Sequence, residues 1–148
     1  LPLQLMELFY SNIKQKKLLH IIYRTSDFEK VKKGERINVV SPEQFLQMSA
    51  LRLKNNQSFD PHYHIWKSGP KKVIPQESWI VIKGSVQCSF FDLDNKLIAK
   101  PILYKGDCSI TLFGGHTYTI LEDNTLVYEY KTGPYTGQKN DKEMINEN

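Results

Sequence analysis

Short runs of apolar and β-forming residues, some of them alternating with polar ones, recur along this 148-residue chain. Turn residues separate these runs about every ten positions, the pattern of short antiparallel strands. It predicts strands over Lys17–Arg24, Arg36–Val40, Met48–Lys54, Ser85–Leu93, Leu97–Tyr104, Cys108–Phe113, His116–Leu121 and Thr125–Lys131. Phe59–His64 follows the Asn55–Ser58 turn as another extended segment. Glu77–Gly84 (ESWIVIKG) is the clearest strand, and it is apolar on both parities, so both its faces should be buried. Leu3, Leu5, Met6, Leu8 and Phe9 suggest a short amphipathic helix or an apolar arm. Asp27–Gly34 reads as a charged loop and Trp66–Gln76 as a polar one. Ser41-Pro42-Glu43-Gln44 has the composition of a capping box and predicts a short helix or turn ending near Leu46.

Many short strands separated by turns imply an all-β sandwich or barrel, and the length suits one domain. Apolar residues make up 40% and charged residues 24%, which implies a globular chain. No apolar run reaches the roughly 18 residues that a membrane-spanning helix needs. The first ten residues lack the basic region and cleavage site of a secretory leader. Two cysteines, Cys88 and Cys108, make no disulfide framework and read as free thiols. These points together give a cytoplasmic expectation. The net charge of +4 resides in residues 1–36, where eight basic side chains face four acidic ones. That excess is either a solvated lysine-rich surface or an attractor for an anionic ligand such as a nucleotide-sugar. No nucleic-acid motif accompanies it, so no nucleic-acid partner is expected.

The chemistry concentrates in the histidines. His62 and His64 stand two residues apart, so on a strand both imidazoles point to one face. If Glu77 points inward, Trp79 and Val81 do too, and Ser78, Ile80 and Ile82 point outward. His116 likewise shares a face with Tyr118 and Ile120. Should those faces meet, His62, His64, Glu77 and His116 would surround one divalent ion. One or two coordination positions would stay open, as Lewis-acid or oxygen chemistry requires. The register leaves Gln76 as an alternative to Glu77. His20 is a lone histidine in a strand and reads as a packed or edge residue. The outward apolar set at Ser78, Ile80 and Ile82 calls for a cover, either the N-terminal arm or a second subunit in a homodimer.

These motifs resemble those of the cupins. A His-x-His, then a Glu, then a Gly after six residues corresponds to His62-Tyr63-His64, Glu77 and Gly84. A second motif that begins with Gly and leads to a His corresponds to Gly106-Asp107 and Leu112-Phe113-Gly114-Gly115-His116. The likeness is greatest to cupin-fold metalloproteins of the WbuC type, found with polysaccharide (O-antigen) gene clusters. It is carried by Pro61–His64, Glu77–Gly84, and Lys131–Tyr135 before Asp141-Lys142-Glu143, and covers roughly residues 36–145. The chain departs from the pattern in three places. Thirteen positions separate His64 from Glu77 where cupins have only a few, Leu112 stands near the place of the usual proline, and Ile120 replaces the usual asparagine.

The resemblance implies a double-stranded β-helix (jelly-roll) barrel over 36–135, with an N-terminal extension of helix or strand over 1–35 and a tail over 136–148. It implies one divalent metal ion (Fe, Mn, Zn or Ni) on His62, His64, Glu77 and His116. Trp66, Trp79 and Tyr118 would either stack on a sugar ring or pack in the core. The implied function is binding of, or action on, a small carbohydrate or nucleotide-sugar in surface-polysaccharide synthesis. An isomerase or epimerase, a non-catalytic sugar-binding module and an Fe(II)-dependent oxygenase all fit that ligand set.

Overall fold

The computed structural model describes residues 6–65, 75–134 and 142–145. Its strands are β1 (Glu7–Tyr10), β2 (Leu18–Ile22), β3 (Glu35–Asn38), β4 (Leu46–Leu53), β5 (His62–His64), β6 (Glu77–Lys83) and β7 (Ser85–Phe91). They continue with β8 (Leu97–Ala99), β9 (Ile102–Tyr104), β10 (Cys108–Thr111), β11 (Gly115–Ile120), β12 (Thr125–Thr132) and β13 (Lys142–Met144). Two antiparallel sheets face each other. One runs β10-β6-β12-β4-β3 and the other β13-β5-β11-β7-β8, with β9 also on β7. This is the expected all-β jelly roll. Among the described residues no helix is long and apolar enough to cross a membrane.

Alternation decides what lies between the sheets. Leu51, Leu53, Trp79, Val81, Val86, Cys88, Tyr118, Ile120 and Val127 form the buried core. Each belongs to the inward parity of its strand, so period-two patterning and burial agree. Gly84 closes the turn from β6 to β7 at φ +88°, a conformation that favours glycine. A Cβ there would also lie 2.2 Å from Thr125 Oγ1.

The outer face of the β6-β12-β4 sheet is covered by the chain's own N-terminal region. The segment Thr25–Lys30, which overlaps the loop expected over Asp27–Gly34, forms a 3-10 turn that buries Asp27 and Phe28. The Asp27 carboxylate accepts the Arg24 backbone N–H at 2.8 Å. Phe28 stacks on Tyr128 with centroids 5.2 Å apart, and Tyr23 meets both rings edge-on. Phe28, Val31 and Ala50 form a second buried cluster against which Ile82 and Leu126 pack. The expected cover over Ile82 is therefore residues 23–31, part of the extension.

The structure also decides between alternatives and moves some boundaries. Of the helix or strand left open for the N-terminal extension, residues 7–10 take the strand: Glu7-Leu8-Phe9-Tyr10 is rich in β-formers and finds a partner in β2. Of the helix or turn expected after Ser41, the turn forms: the Ser41 hydroxyl donates to Glu43 at 2.9 Å and β4 begins at Leu46. Leu97–Tyr104 is two strands, since Pro101 has no N–H to continue the ladder. Only its carbonyl takes part, accepting from Cys88 N at 2.8 Å. β10 stops at Thr111 and leaves Leu112 and Phe113 exposed.

Candidate metal centre

Inter-strand register sorts the inward side chains into layers. Across the first sheet, Thr111, Glu77, Lys131 and Gln47 are successive partners on β10, β6, β12 and β4. The next layer is Ser109, Trp79, Glu129 and Ser49, ending at Asn38 on β3. Below it come Val127, paired with both Val81 and Leu51. On the opposing sheet His62 pairs with His116, and His116 with Phe90, while Tyr118 pairs with Cys88 and Ile120 with Val86. The barrel interior is thus polar at one end and apolar at the other.

The polar end brings the four expected residues together. One ligand atom from each of His62, His64, Glu77 and His116 lies within 4.8 Å of the others, and all four residues are buried. His116 Nε2 is 3.0 Å from His62 Nε2, and His64 Nε2 is 3.1 Å from Glu77 Oε2. Glu77 Oε2 is also 3.7 Å from His116 Nε2. Glu77, rather than Gln76, faces inward. Its partners Thr111 and Lys131 fix that parity, while the Gln76 backbone N–H is held by Thr132 Oγ1. Gly115 lets β11 approach β5 closely, since a Cβ there would lie 3.1 Å from the His62 carbonyl oxygen. His20 stands exposed on β2, away from this cluster.

Electrostatics suit these groups to a cation. Burial, then the neighbouring His116, lowers the His62 pKa to about 4. Burial, then His64, lowers that of His116 to about 3. Both are therefore neutral at pH 7, the form that ligates metals. Burial alone would raise the Glu77 pKa. The hydrogen bond and charge of His64 outweigh it, so the carboxyl lies below its ordinary value and is ionised.

Tautomers carry the argument further. His62 Nδ1 is 3.0 Å from the Asp60 carbonyl oxygen, which only accepts, so Nδ1 carries the proton and Nε2 offers its lone pair. His116 Nδ1 is 2.8 Å from the Thr111 hydroxyl, which can donate or accept. When Thr111 donates, His116 Nε2–H donates to His62. When Thr111 accepts, both Nε2 lone pairs point into the cluster, an arrangement that a cation stabilises. Three imidazoles and one carboxylate therefore fit a divalent ion, with Thr111 as the adaptor.

Trp79 and Tyr118 line the same cavity, of about 230 Å³. Their ring faces meet each other, with centroids 3.8 Å apart and planes 7° from parallel, and each is 2% exposed. Phe59 adds an edge contact to Trp79 at 5.5 Å. Trp66 lies outside the described residues. Sequence reasoning missed Thr111, Glu129, Arg36, Lys131 and Lys142. Glu129 accepts from Trp79 Nε1 at 2.9 Å through one oxygen and from Arg36 through the other. The shared parity of Val127, Glu129 and Lys131 was the available signal.

No family model and no curated protein sequence matches the chain. Solved structures do. KdgF from Halomonas sp. aligns with TM-score 0.52 and 17% identity, covering 66% of this chain and 78% of that one. The capsular polysaccharide assembling protein CapF from Staphylococcus aureus aligns at 0.61 and 14% identity, covering 78% of this chain and 31% of that one. Oxalate decarboxylase from Bacillus subtilis aligns at 0.56 and 16%, covering 75% and 27%. The chain therefore spans most of KdgF but only about a third or less of the other two. At these identities the likeness is one of fold, and the fold is that of the cupins. A cupin barrel with a buried three-histidine, one-carboxylate cluster is a candidate metal-binding protein.

Proposed function

We propose that this cupin holds one divalent metal ion (Fe, Mn, Zn or Ni) on His62, His64, Glu77 and His116, and uses it on a small carbohydrate or nucleotide-sugar. The observation that carries the reading is the convergence of four buried ligand atoms within 4.8 Å, three of them on residues that line a cavity. A divalent ion there supplies a Lewis acid that polarises a ligand oxygen. The chain's own residues supply the rest. Burial keeps His62 and His116 deprotonated, and Glu77 brings one negative charge to the cluster. Trp79 and Tyr118, stacked beneath, close the site on the core side and touch a ligand only along their edges. A carbohydrate ligand is supported by the polar neighbouring wall of Asn38, Gln47 and Ser49, and by the likeness in fold to CapF, a capsular polysaccharide assembling protein. An isomerase or epimerase in cytoplasmic steps of surface-polysaccharide synthesis is the preferred form of this reading.

The deciding experiment is elemental analysis of the protein purified without chelators, beside the His62→Ala/His64→Ala double variant. About one metal per chain in the parent and none in the variant is expected. Stoichiometric metal retained by the variant would overturn the assignment. The element found also separates the reactions: iron as the resident metal would favour oxygen chemistry over isomerisation.

A further inference from the structure

Strands β1 and β2 form a small sheet of their own, pairing with each other and with neither sheet of the barrel. Residues 7–22 make this hairpin, and none of them is fully buried. Leu8, Phe9 and Tyr10 are exposed in succession on β1, and Leu18 and Leu19 on β2. Successive strand residues point to opposite faces, so both faces of the ribbon are apolar. A two-stranded hairpin is at best marginally stable in water, and this one gains little from burying its apolar side chains. At its tip Ile13 is 99% exposed.

The same tip is cationic. Lys14, Lys16 and Lys17 lie within four residues of Ile13 and are exposed. Among the described residues, Arg24, Lys30 and Lys33 of the following segment have carboxylate partners in Glu7, Asp27 and Asp123, whereas no carboxylate pairs with the three tip lysines. The backbone of the tip is closed on itself. The Ser11 hydroxyl accepts the N–H of Ile13 at 3.1 Å and that of Lys14 at 2.8 Å. The Ser11 N–H donates to the Lys17 carbonyl at 2.8 Å, and the Lys17 N–H to the Lys14 carbonyl at 3.1 Å. The N–H groups around Ile13 are thus largely satisfied within the turn.

These features select the occupant. A protein surface would cover one face of the ribbon and leave the other wet. A lipid headgroup layer is fluid, surrounds both faces, and receives Ile13 at its apolar boundary. Tyr10 is of the residue type enriched at that boundary. Unsatisfied backbone groups are costly there, and the Ser11 hydroxyl removes that cost at Ile13 and Lys14. The lysines run their aliphatic stems past apolar side chains and hold their ammonium groups among anionic headgroups. A nucleic acid would account for the lysines but not for Ile13.

We propose that the β1–β2 hairpin is a membrane-surface anchor whose tip, Ile13 with Lys14, Lys16 and Lys17, seats in an anionic lipid interface. The contact is peripheral and involves no residue of the barrel, so it is independent of the metal reading.

The test is co-sedimentation of the full chain with sucrose-loaded vesicles at low and high salt. One set is phosphatidylcholine alone, and the other has phosphatidylglycerol as about a quarter of the lipid. Binding to the anionic vesicles at millimolar lipid, weakening as salt rises, is expected, with little on phosphatidylcholine alone. Ile13→Ser should lose about tenfold, the effect of withdrawing one branched apolar side chain from the interface. Lys14→Gln, Lys16→Gln and Lys17→Gln combined should lose about a hundredfold, about fivefold for each lysine. All four positions are exposed, so both variants should keep the parent's circular dichroism. Ile98→Ser, at an exposed apolar position on β8, should bind as the parent does. No binding to anionic vesicles at millimolar lipid would overturn the proposal, as would equal binding to phosphatidylcholine alone. Unchanged binding in Ile13→Ser would also overturn it, since charge alone would then suffice. Sedimentation velocity covers the competing occupant: a dimer in vesicle-free solution that Ile13→Ser splits would assign the tip to a second copy instead.

Discussion

Acid should unfold the metal-free protein in a pH range where carboxylates have little influence. His62 and His116 have pKa values of about 4 and about 3 in the folded chain, mainly because they are buried. Unfolding exposes both and returns them to about 6.5. Below that value the unfolded chain takes up protons that the folded chain refuses, so stability falls as the pH falls. From about pH 7.5 to about pH 5 each refused proton costs about 2 kcal/mol, and the pair about 4 kcal/mol. A domain of this size holds roughly 5–15 kcal/mol in total, so the loss is large. Glu77 acts in the opposite range. Its lowered pKa stabilises the fold above the ordinary carboxylate value, and that contribution is lost only at lower pH. Urea denaturation of the chelator-stripped protein at several pH values, followed by tryptophan fluorescence, measures the slope. His116→Asn should remove about half of it, because one of the two refused protons is gone. Stability that stays level from about pH 7.5 to about pH 5, or a slope identical in His62→Asn, His116→Asn and parent, would refute the reasoning.

Three further outcomes follow from individual contacts. Thr111→Val removes the hydroxyl that accepts a hydrogen bond from His116 Nδ1–H in the metal-binding tautomer. Metal affinity should fall about 10–100-fold in a chelator-competition titration, with little change in melting temperature. Gly84→Ala forces a side chain into a left-handed turn 2.2 Å from Thr125 Oγ1. Denaturation should show a loss of roughly 2–4 kcal/mol, and a loss under about 1 kcal/mol would contradict the packing. Phe28→Ala uncovers Tyr128 and Ala50 and should cost about 3–5 kcal/mol, whereas Phe45→Ala, at 61% exposed, should stay within about 0.5 kcal/mol.

The cluster was legible in the sequence because parity is a local property. His62 and His64 share a face by spacing alone, and Glu77 shares one with Trp79 and Val81. What parity cannot supply is which strand lies opposite. The choice between Gln76 and Glu77 is made by Thr111 and Lys131, which are far away along the chain. The mutual stacking of Trp79 and Tyr118 depends on two sheets meeting face to face, so no single-strand pattern announces it. Phe28 was hidden for another reason. It is a lone aromatic in a run of charged residues, and its partners Tyr128 and Ala50 come from β12 and β4. The break at Pro101 was available from covalent chemistry, since proline has no N–H to donate.

The layering links stability to chemistry. Along β6 the inward residues run Glu77, Trp79, Val81, and along β11 they run His116, Tyr118, Ile120. Along β12 they run Lys131, Glu129, Val127, Thr125, and along β4 Gln47, Ser49, Leu51, Leu53. Each of these strands passes from the polar end to the apolar end without changing parity. The stacked Trp79 and Tyr118 form the floor between them. Below that floor, burial of Leu51, Leu53, Val81, Val86, Ile120 and Val127 drives the sheets together. Above it, the same closure takes water away from His62, Glu77 and His116, whose ionisation would otherwise be ordinary. The lowered histidine pKa values are therefore a consequence of the core's position. A substitution that loosens the floor, such as Trp79→Ala, should let water reach the cluster and move the His116 pKa back towards 6.5 as well as destabilise the fold. Nuclear magnetic resonance titration of the histidine ring protons tests this directly, and an unmoved His116 in a folded variant would show that the depression has a source other than burial.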